Sequence, residues 1–295
     1  MSSSRRVKFD EIGYWSEIKL DIVKDYASAY SRILAAQRKP ALHHVYIDAF
    51  AGAGVHISKA TGEYVPGSPV NALLVRPPFR EYHLIDIDRR KVASLRDITK
   101  ERRDVHIHEG DCNRILMDKV FPNVRWEQYR RGLCLLDPYG LQLDWKVIET
   151  AGKMRTIDMF LNFPVADMNR NVLWRHPEGV DASDLKRMTE FWGDESWREI
   201  AYTTKLNLFG YPEKEENAIV AEGFRQRLLP LDAPVLRAEG DDQLSAREGA
   251  DQPALSWRAR AASLSQWRGT LHRLQIVRGD LPGAGYHHRG RPTPQ

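Results

Sequence analysis

The stretch Val45-Tyr-Ile-Asp48-Ala-Phe50-Ala-Gly52-Ala-Gly54 decides how this chain is read. Its apolar, partly β-branched start has the composition of a buried strand. A carboxylate, Asp48, ends the run, and Gly52 and Gly54 punctuate the turn beyond it. Glycine lets a backbone turn tightly and approach a ligand with no Cβ in the way. Similar apolar runs recur at 82–87 (YHLIDI), 105–108 (VHIH), 133–137 (LCLLD) and 157–163 (IDMFLNF). A helical or capped segment follows each one. Strands alternating with helices imply βαβ units, so the fold class is α/β: a Rossmann-like, mostly parallel central sheet with helices on both faces. Spacings of about 20 to 35 residues suit one right-handed crossover each.

Working outward, residues 14–38 place Trp15, Ile18, Ile22, Tyr26, Ala29 and Ile33 three or four apart, the stripe of an amphipathic helix stopped by Pro40. The N-terminal part, 1–40, is therefore read as a helix packing on an α/β domain at 41–229. A helical insert is expected after the fifth strand, at about 165–210, where Met168, Trp174, Met188, Phe191, Trp192 and Trp197 gather. Core packing explains those large side chains, and inserts at this place also form substrate lids. The tail, 230–295, departs in composition: no lysine follows Lys214, Ile and Val become sparse, and helical periodicity stops near Leu229. Only 271–277 resembles a strand there, so the tail is expected to be divergent and disordered, or altered in reading frame.

The strand ends carry the chemistry, because open parallel sheets bind ligands beyond their carboxyl ends. A dinucleotide fold sets its glycines around a pyrophosphate at a helix N-terminus, where a carboxylate such as Asp48 would repel the ligand. S-adenosylmethionine instead carries a sulfonium and an ammonium, which a carboxylate attracts. The second strand ends Leu84-Ile-Asp86-Ile-Asp88. Asp86 is placed to accept from both ribose hydroxyls, and Asp88 to cap the helix carrying Val92 and Leu95. At the third strand end, Asp111 has two open roles, accepting from an adenine amino group or capping the helix through Ile115 and Leu116. An NAD-binding reading is opposed by Asp48 and by the missing third glycine of Gly-x-Gly-x-x-Gly.

The order Asp48-x-Phe50-x-Gly52-x-Gly54, Gly67-Ser68-Pro69, Asp86-x-Asp88, Gly110-Asp111, Asp137-Pro138-Tyr139-Gly140 and Asn162-Phe163-Pro164 resembles the three-Cys-motif partner family of bacterial and phage-associated proteins. The resemblance runs from about Trp15 to Leu228. It implies a class I methyltransferase-like fold, S-adenosylmethionine as cofactor, and a radical-adenosylmethionine-like partner protein. Its reaction is not established. In amino-directed methyltransferases the fourth strand ends Asp/Asn-Pro-Pro-aromatic, where the first side chain and the proline carbonyl accept the target N–H and the ring stacks on the substrate. Here Tyr139 replaces the second proline, which leaves Asp137, Pro138 and Tyr139 between a catalytic amine site and a strand-to-helix turn. Asn162 would face the same cleft.

Other features bound the answer. The 295 residues are 42% hydrophobic and 28% charged with a formal charge of +4, an ordinary globular composition whose small excess does not demand a polyanion. Neither an 18-residue apolar run nor a signal-like start is present, so no membrane association and a cytoplasmic location are expected. Cys112 and Cys134 form no CxxC pair, and His106 and His108 share a strand face without a third ligand at useful spacing, so no zinc site is expected. Arg89-Arg90, Arg102-Arg103 and Arg130-Arg131 interleave with acids as solvated faces do. Two function classes follow: methyl transfer to a nitrogen of a nucleic acid or modified nucleoside, or a non-catalytic cofactor-binding sensor or scaffold for a partner protein.

Overall fold

The computed structural model describes residues 9–206, 212–238 and 274–278. Its centre is an all-parallel sheet of β2 (His43–Asp48), β5 (Glu81–Asp86), β6 (Val105–Glu109), β7 (Arg130–Leu136) and β8 (Ile157–Phe163). The spatial order is β8-β7-β2-β5-β6. The chain builds outward from β2 to β6, then returns to β7 on the other side, so its direction of growth reverses between β2 and β7. These two pair over His43↔Arg130 through Asp48↔Leu135. In such sheets the carboxyl ends on either side of the reversal diverge and leave a crevice.

Strand alternation splits the core. Val45 and Ile47 belong to one cluster and Tyr46 to another. The Tyr46 side is covered by α1 (Tyr14–Ala36), α2 (Ser68–Leu74) and Leu95 of α3 (Arg89–Ile98). The opposite side is covered by α4 (Cys112–Ile115), α5 (Trp145–Met154), α6 (Val165–Asn171), α7 (Ala182–Trp192), α8 (Trp197–Ala201) and α9 (Asn217–Ala238). Helices therefore flank both faces, and the strands read as continuous apolar runs for that reason. Met168, Met188, Phe191, Trp192 and Trp197 are buried in the larger cluster, whereas Trp174 is exposed. Cys112 and Cys134 are buried free thiols.

The face that α1 buries differs from the one expected. Leu20, Val23, Ala27, Tyr30, Ser31 and Leu34 are its buried residues, while Trp15 is exposed and Ile18, Ile22, Tyr26, Ala29 and Ile33 are half-buried. Apolar residues occupy more than half of this helix's circumference, so periodicity identifies the helix without centring its contact face. Docking against β2 and α2 does that.

A small sheet lies outside this frame. β1 (Glu11–Ile12) pairs in parallel with β3 (Val55–Ser58), which pairs antiparallel with β4 (Tyr64–Pro66). It joins the segment just before α1 to the hairpin between the glycine turn and α2. The segment β9 (Tyr202–Leu206) pairs with β10 (Pro212–Lys214) before α9. Helix α9 runs through the expected boundary at Leu229 to Ala238. Beyond it, β11 (Leu274–Arg278) lies parallel beside β8, from Leu274↔Met159 to Arg278↔Phe163, and overlaps the strand-like run 271–277. An antiparallel closing pair of the class I type is not seen among the described residues. The rest of the expected tail, 239–273 and 279–295, lies outside them. Among the described residues no helix is long and apolar enough to cross a membrane.

Candidate functional site

The crevice floor begins with Asp48, the last residue of β2. It is fully buried. Its Oδ2 accepts from Ser68 Oγ at 2.7 Å and from the Tyr46 hydroxyl at 3.3 Å, and its Oδ1 accepts from the Phe50 backbone N–H at 3.3 Å. Burial raises its pKa to about 7, against the opposing hydrogen bonds of Ser68 and Phe50 and with a further push from the charge of Asp137. Sequence reading gave Asp48 the task of attracting a cation. In the fold its oxygens first hold the start of α2, through Ser68, and the beginning of the glycine turn.

Gly52 and Gly54 adopt φ of +66° and +86°, which disfavour any residue with a Cβ. At Gly54 an added Cβ would also lie 2.9 Å from Ile98 Cδ1 and 3.3 Å from Leu95 Cδ2, so those side-chain ends would have to shift. At Gly52 nothing stands nearer than His56 Cε1, 4.0 Å away, so this Cα faces open space. Asp86, at the end of β5, clamps the turn: its Oδ2 accepts from the Gly52 N–H at 2.9 Å and its Oδ1 from the Asp88 N–H at 2.8 Å. Each oxygen keeps a second lone pair for another donor. Asp88 caps α3 by accepting from the Arg90 N–H at 2.8 Å. Ser94 of α3 donates to the Ala53 carbonyl at 3.0 Å and holds the turn from above. Phe50 is half-buried and packs on the larger core cluster.

Across the reversal, Asp137 follows β7. Its Oδ1 accepts from Asn162 Nδ2 at 2.7 Å, so Asn162 shares its cleft, and its Oδ2 accepts from Lys19 Nζ at 2.6 Å. Both partners of this ion pair are largely covered, at 22% and 29% side-chain exposure. Pro138 is buried, and Tyr139 is 87% exposed. Asp111 caps α4: its Oδ1 accepts from the Asn113 N–H at 3.1 Å while the residue stays exposed. Asn113 in turn reaches across to the segment before α5, accepting from the Asp144 N–H at 2.9 Å.

The fold thus gathers Asp48, Gly52, Gly54, Asp86 and Asp137 at the carboxyl ends of the strands beside the reversal, with Asp111 at the end of the neighbouring β6. Three further side chains join them that sequence reasoning did not assign. Lys19 stands 118 residues from its partner, and only docking of α1 brings it there. Ser68 was visible as part of the helix-opening Gly67-Ser68-Pro69, but its hydroxyl has no sequence signal for Asp48. His56, on β3, is half-buried with a buried Nδ1 that has no hydrogen-bond partner among the described residues. Burial lowers its basicity, with the charges of Asp10, Lys91, Lys19 and Asp137 acting on the ring. Among the described residues no group of His, Cys, Asp and Glu is arranged to hold a metal ion.

No family model and no curated protein matches the chain. Among solved structures it is similar to the protein LPL1258 of Legionella pneumophila, described under the family model DUF519, at 16% identity and a TM-score of 0.36. The likeness covers 48% of this chain and 66% of that one.

Proposed function

We propose that the crevice binds S-adenosylmethionine and that the chain is a class I methyltransferase-like protein that N-methylates a nucleic acid or modified nucleoside. One observation carries this reading. Two carboxylates, Asp48 and Asp137, end adjacent strands at the reversal of the sheet, beside a glycine turn whose N–H is held by a third, Asp86. A pyrophosphate cofactor finds acids where it needs N–H donors and cations, whereas a sulfonium finds a favourable field. Asp86 has acceptor capacity for ribose hydroxyls, and exposed Asp111 for an adenine amino group. The resemblance to the three-Cys-motif partner family points the same way. When bound, the cofactor supplies an electrophilic methyl group. The chain's part is to bind and orient, with Asp137 accepting the target N–H, and positioning supplies most of the rate.

A second reading has its own support. Asp137 already satisfies Lys19 and Asn162, and Tyr139 is exposed with no ring contact among the described residues. An acceptor so occupied suits a cofactor-binding sensor or scaffold for a radical-adenosylmethionine-like partner. Transfer of labelled methyl to cellular nucleic acid, with the chain alone and with that partner, separates the two. Incorporation that Asp137→Ala abolishes supports the enzyme. Tight cofactor binding with no incorporation under either condition supports the sensor.

A further inference from the structure

Resting on the cofactor reading above, we propose that Lys19 and His56 form a carboxylate-binding corner that holds the amino-acid end of the ligand, and that occupying it releases Asp137. The amino-acid end of S-adenosylmethionine is a zwitterion. A site for it needs a cationic or N–H donor group as well as acids, and the strand ends at the reversal supply mostly acids.

Lys19 and His56 are donors that the fold brings to this place; a third cation nearby, Lys91, is paired with Asp10 at 2.7 Å. Lys19 Nζ lies 2.6 Å from Asp137 Oδ2. The His56 ring lies over the glycine turn: a Cβ added at Gly67 would stand 3.2 Å from its Nε2, and one added at Gly52 would stand 4.0 Å from its Cε1. A buried ring nitrogen without a partner costs on the order of 1 to 3 kcal/mol, and the His56 Nδ1, which has none among the described residues, gains most from a ligand that completes it. The two side chains are also mechanically linked. β1 pairs with β3 at Glu11↔Ile57 and Ile12↔Ser58, next to His56, and leads through Gly13 into α1, whose second turn carries Lys19.

The arrangement answers why an amine acceptor should be occupied by a lysine. With the crevice empty, the Lys19 ammonium holds Asp137 where a target N–H would bind. A ligand carboxylate offers Lys19 an equivalent partner, and the ammonium and sulfonium of the same ligand offset the charge left on Asp137. Asp137 then regains a lone pair for the target. His56, kept neutral by burial, donates one N–H to the same carboxylate. Cofactor binding would thereby precede target binding.

Calorimetry on the full chain tests this with S-adenosylmethionine, its decarboxylated form, which lacks only the carboxylate, and 5′-methylthioadenosine, which lacks the amino-acid end. The unaltered chain should bind S-adenosylmethionine at least tenfold more tightly than the decarboxylated form. Lys19→Met and His56→Ala should each remove most of that preference while changing affinity for methylthioadenosine less than twofold. Equal affinity for the first two ligands in the unaltered chain would overturn the corner and leave the nucleoside reading standing, and it needs no variant that folds poorly. Equal losses for all three ligands in both variants, or none, would also overturn it. Failure of the unaltered chain to bind any of the three would sink the cofactor reading and the corner together.

Discussion

At the amino ends of the strands, Glu81 of β5 accepts from Arg130 at 2.5 Å, from His83 at 2.8 Å and from His43 at 3.2 Å. His83 continues the network to His108 at 3.1 Å and stacks on His106 and His108. At the carboxyl ends of the same sheet, Asp86 and Asp111 accept mainly from backbone N–H groups and keep capacity for other donors, while Asp137 is held by a lysine that another partner can draw away. Both ends concentrate titratable groups. The difference is saturation: a carboxylate with several side-chain donors has little left to offer a ligand, and its acidity is strengthened, as that of Glu81 is by its bond to His83, against burial, and then by Arg130. Density of ionisable residues therefore does not by itself mark a site. Asp86, whose two oxygens accept from backbone N–H groups, keeps acceptor capacity that Glu81 does not.

That contrast is breakable. The largest effect is expected at the saturated end, where Glu81→Ala would leave Arg130, His43 and His83 without their shared partner. It should cost about 3 kcal/mol of stability and leave cofactor affinity untouched. Urea unfolding measures the first and calorimetry the second; a loss of affinity at unchanged stability would reverse the assignment of the two ends. At the other end, Asp137→Ala should lower methyl transfer about a hundredfold, the scale of removing one positioned polar group, with affinity for S-adenosylmethionine unreduced. If stability and cofactor binding fall together instead, Asp137-Pro138 is a structural turn. Asp86→Ala should weaken S-adenosylmethionine and 5′-methylthioadenosine alike, by about tenfold or more, because both carry the ribose. Unchanged affinity would remove Asp86 from the ribose.

Two buried groups of the sheet should also respond to pH with opposite signs. Asp48 holds its proton more tightly folded, at about 7, than unfolded, so its contribution is full in acid and declines as pH rises from about 4 to 7. His108, lowered to about 4 by burial and then by the charges of His83, Lys119 and His106, behaves oppositely: its contribution is full above about 6.5 and declines as pH falls toward 4. Asp48→Asn should therefore stabilise the chain most near pH 8, and His108→Gln should stabilise it most near pH 5. Unfolding free energies at the two pH values decide this, and parallel behaviour would mean that burial is not the dominant cause. Smallest of all, Tyr139→Phe should leave turnover nearly unchanged while Tyr139→Ala lowers it, since an exposed ring acts by stacking and not through its hydroxyl.

Much of this was legible in the linear order of residues. Apolar β-branched runs at regular spacing identify the parallel strands, since both faces of such a sheet are buried and little else has that pattern. Acids and glycines directly after those runs had to lie at one end of the sheet, because parallel strands all point the same way. The glycine turn, the Asp88 cap and the nearness of Asn162 to Asp137 follow from these local rules. Tertiary structure decided the rest. Which face of α1 is buried depends on what it docks against, and that docking alone delivers Lys19 to Asp137. The second role of Asp111, as a cap, was equally open until its hydrogen bond to Asn113 was visible. The state of Asp48 depends on complete burial and on a hydroxyl 20 residues away, neither of which has a periodic signature. The run 271–277 resembles a strand by its residues, but that β11 pairs with the edge of β8, and in parallel, is decided by the contact and not by any local pattern. Sequence specifies what each segment prefers over a few residues; the partners of a charge are chosen by contacts between segments far apart in the chain.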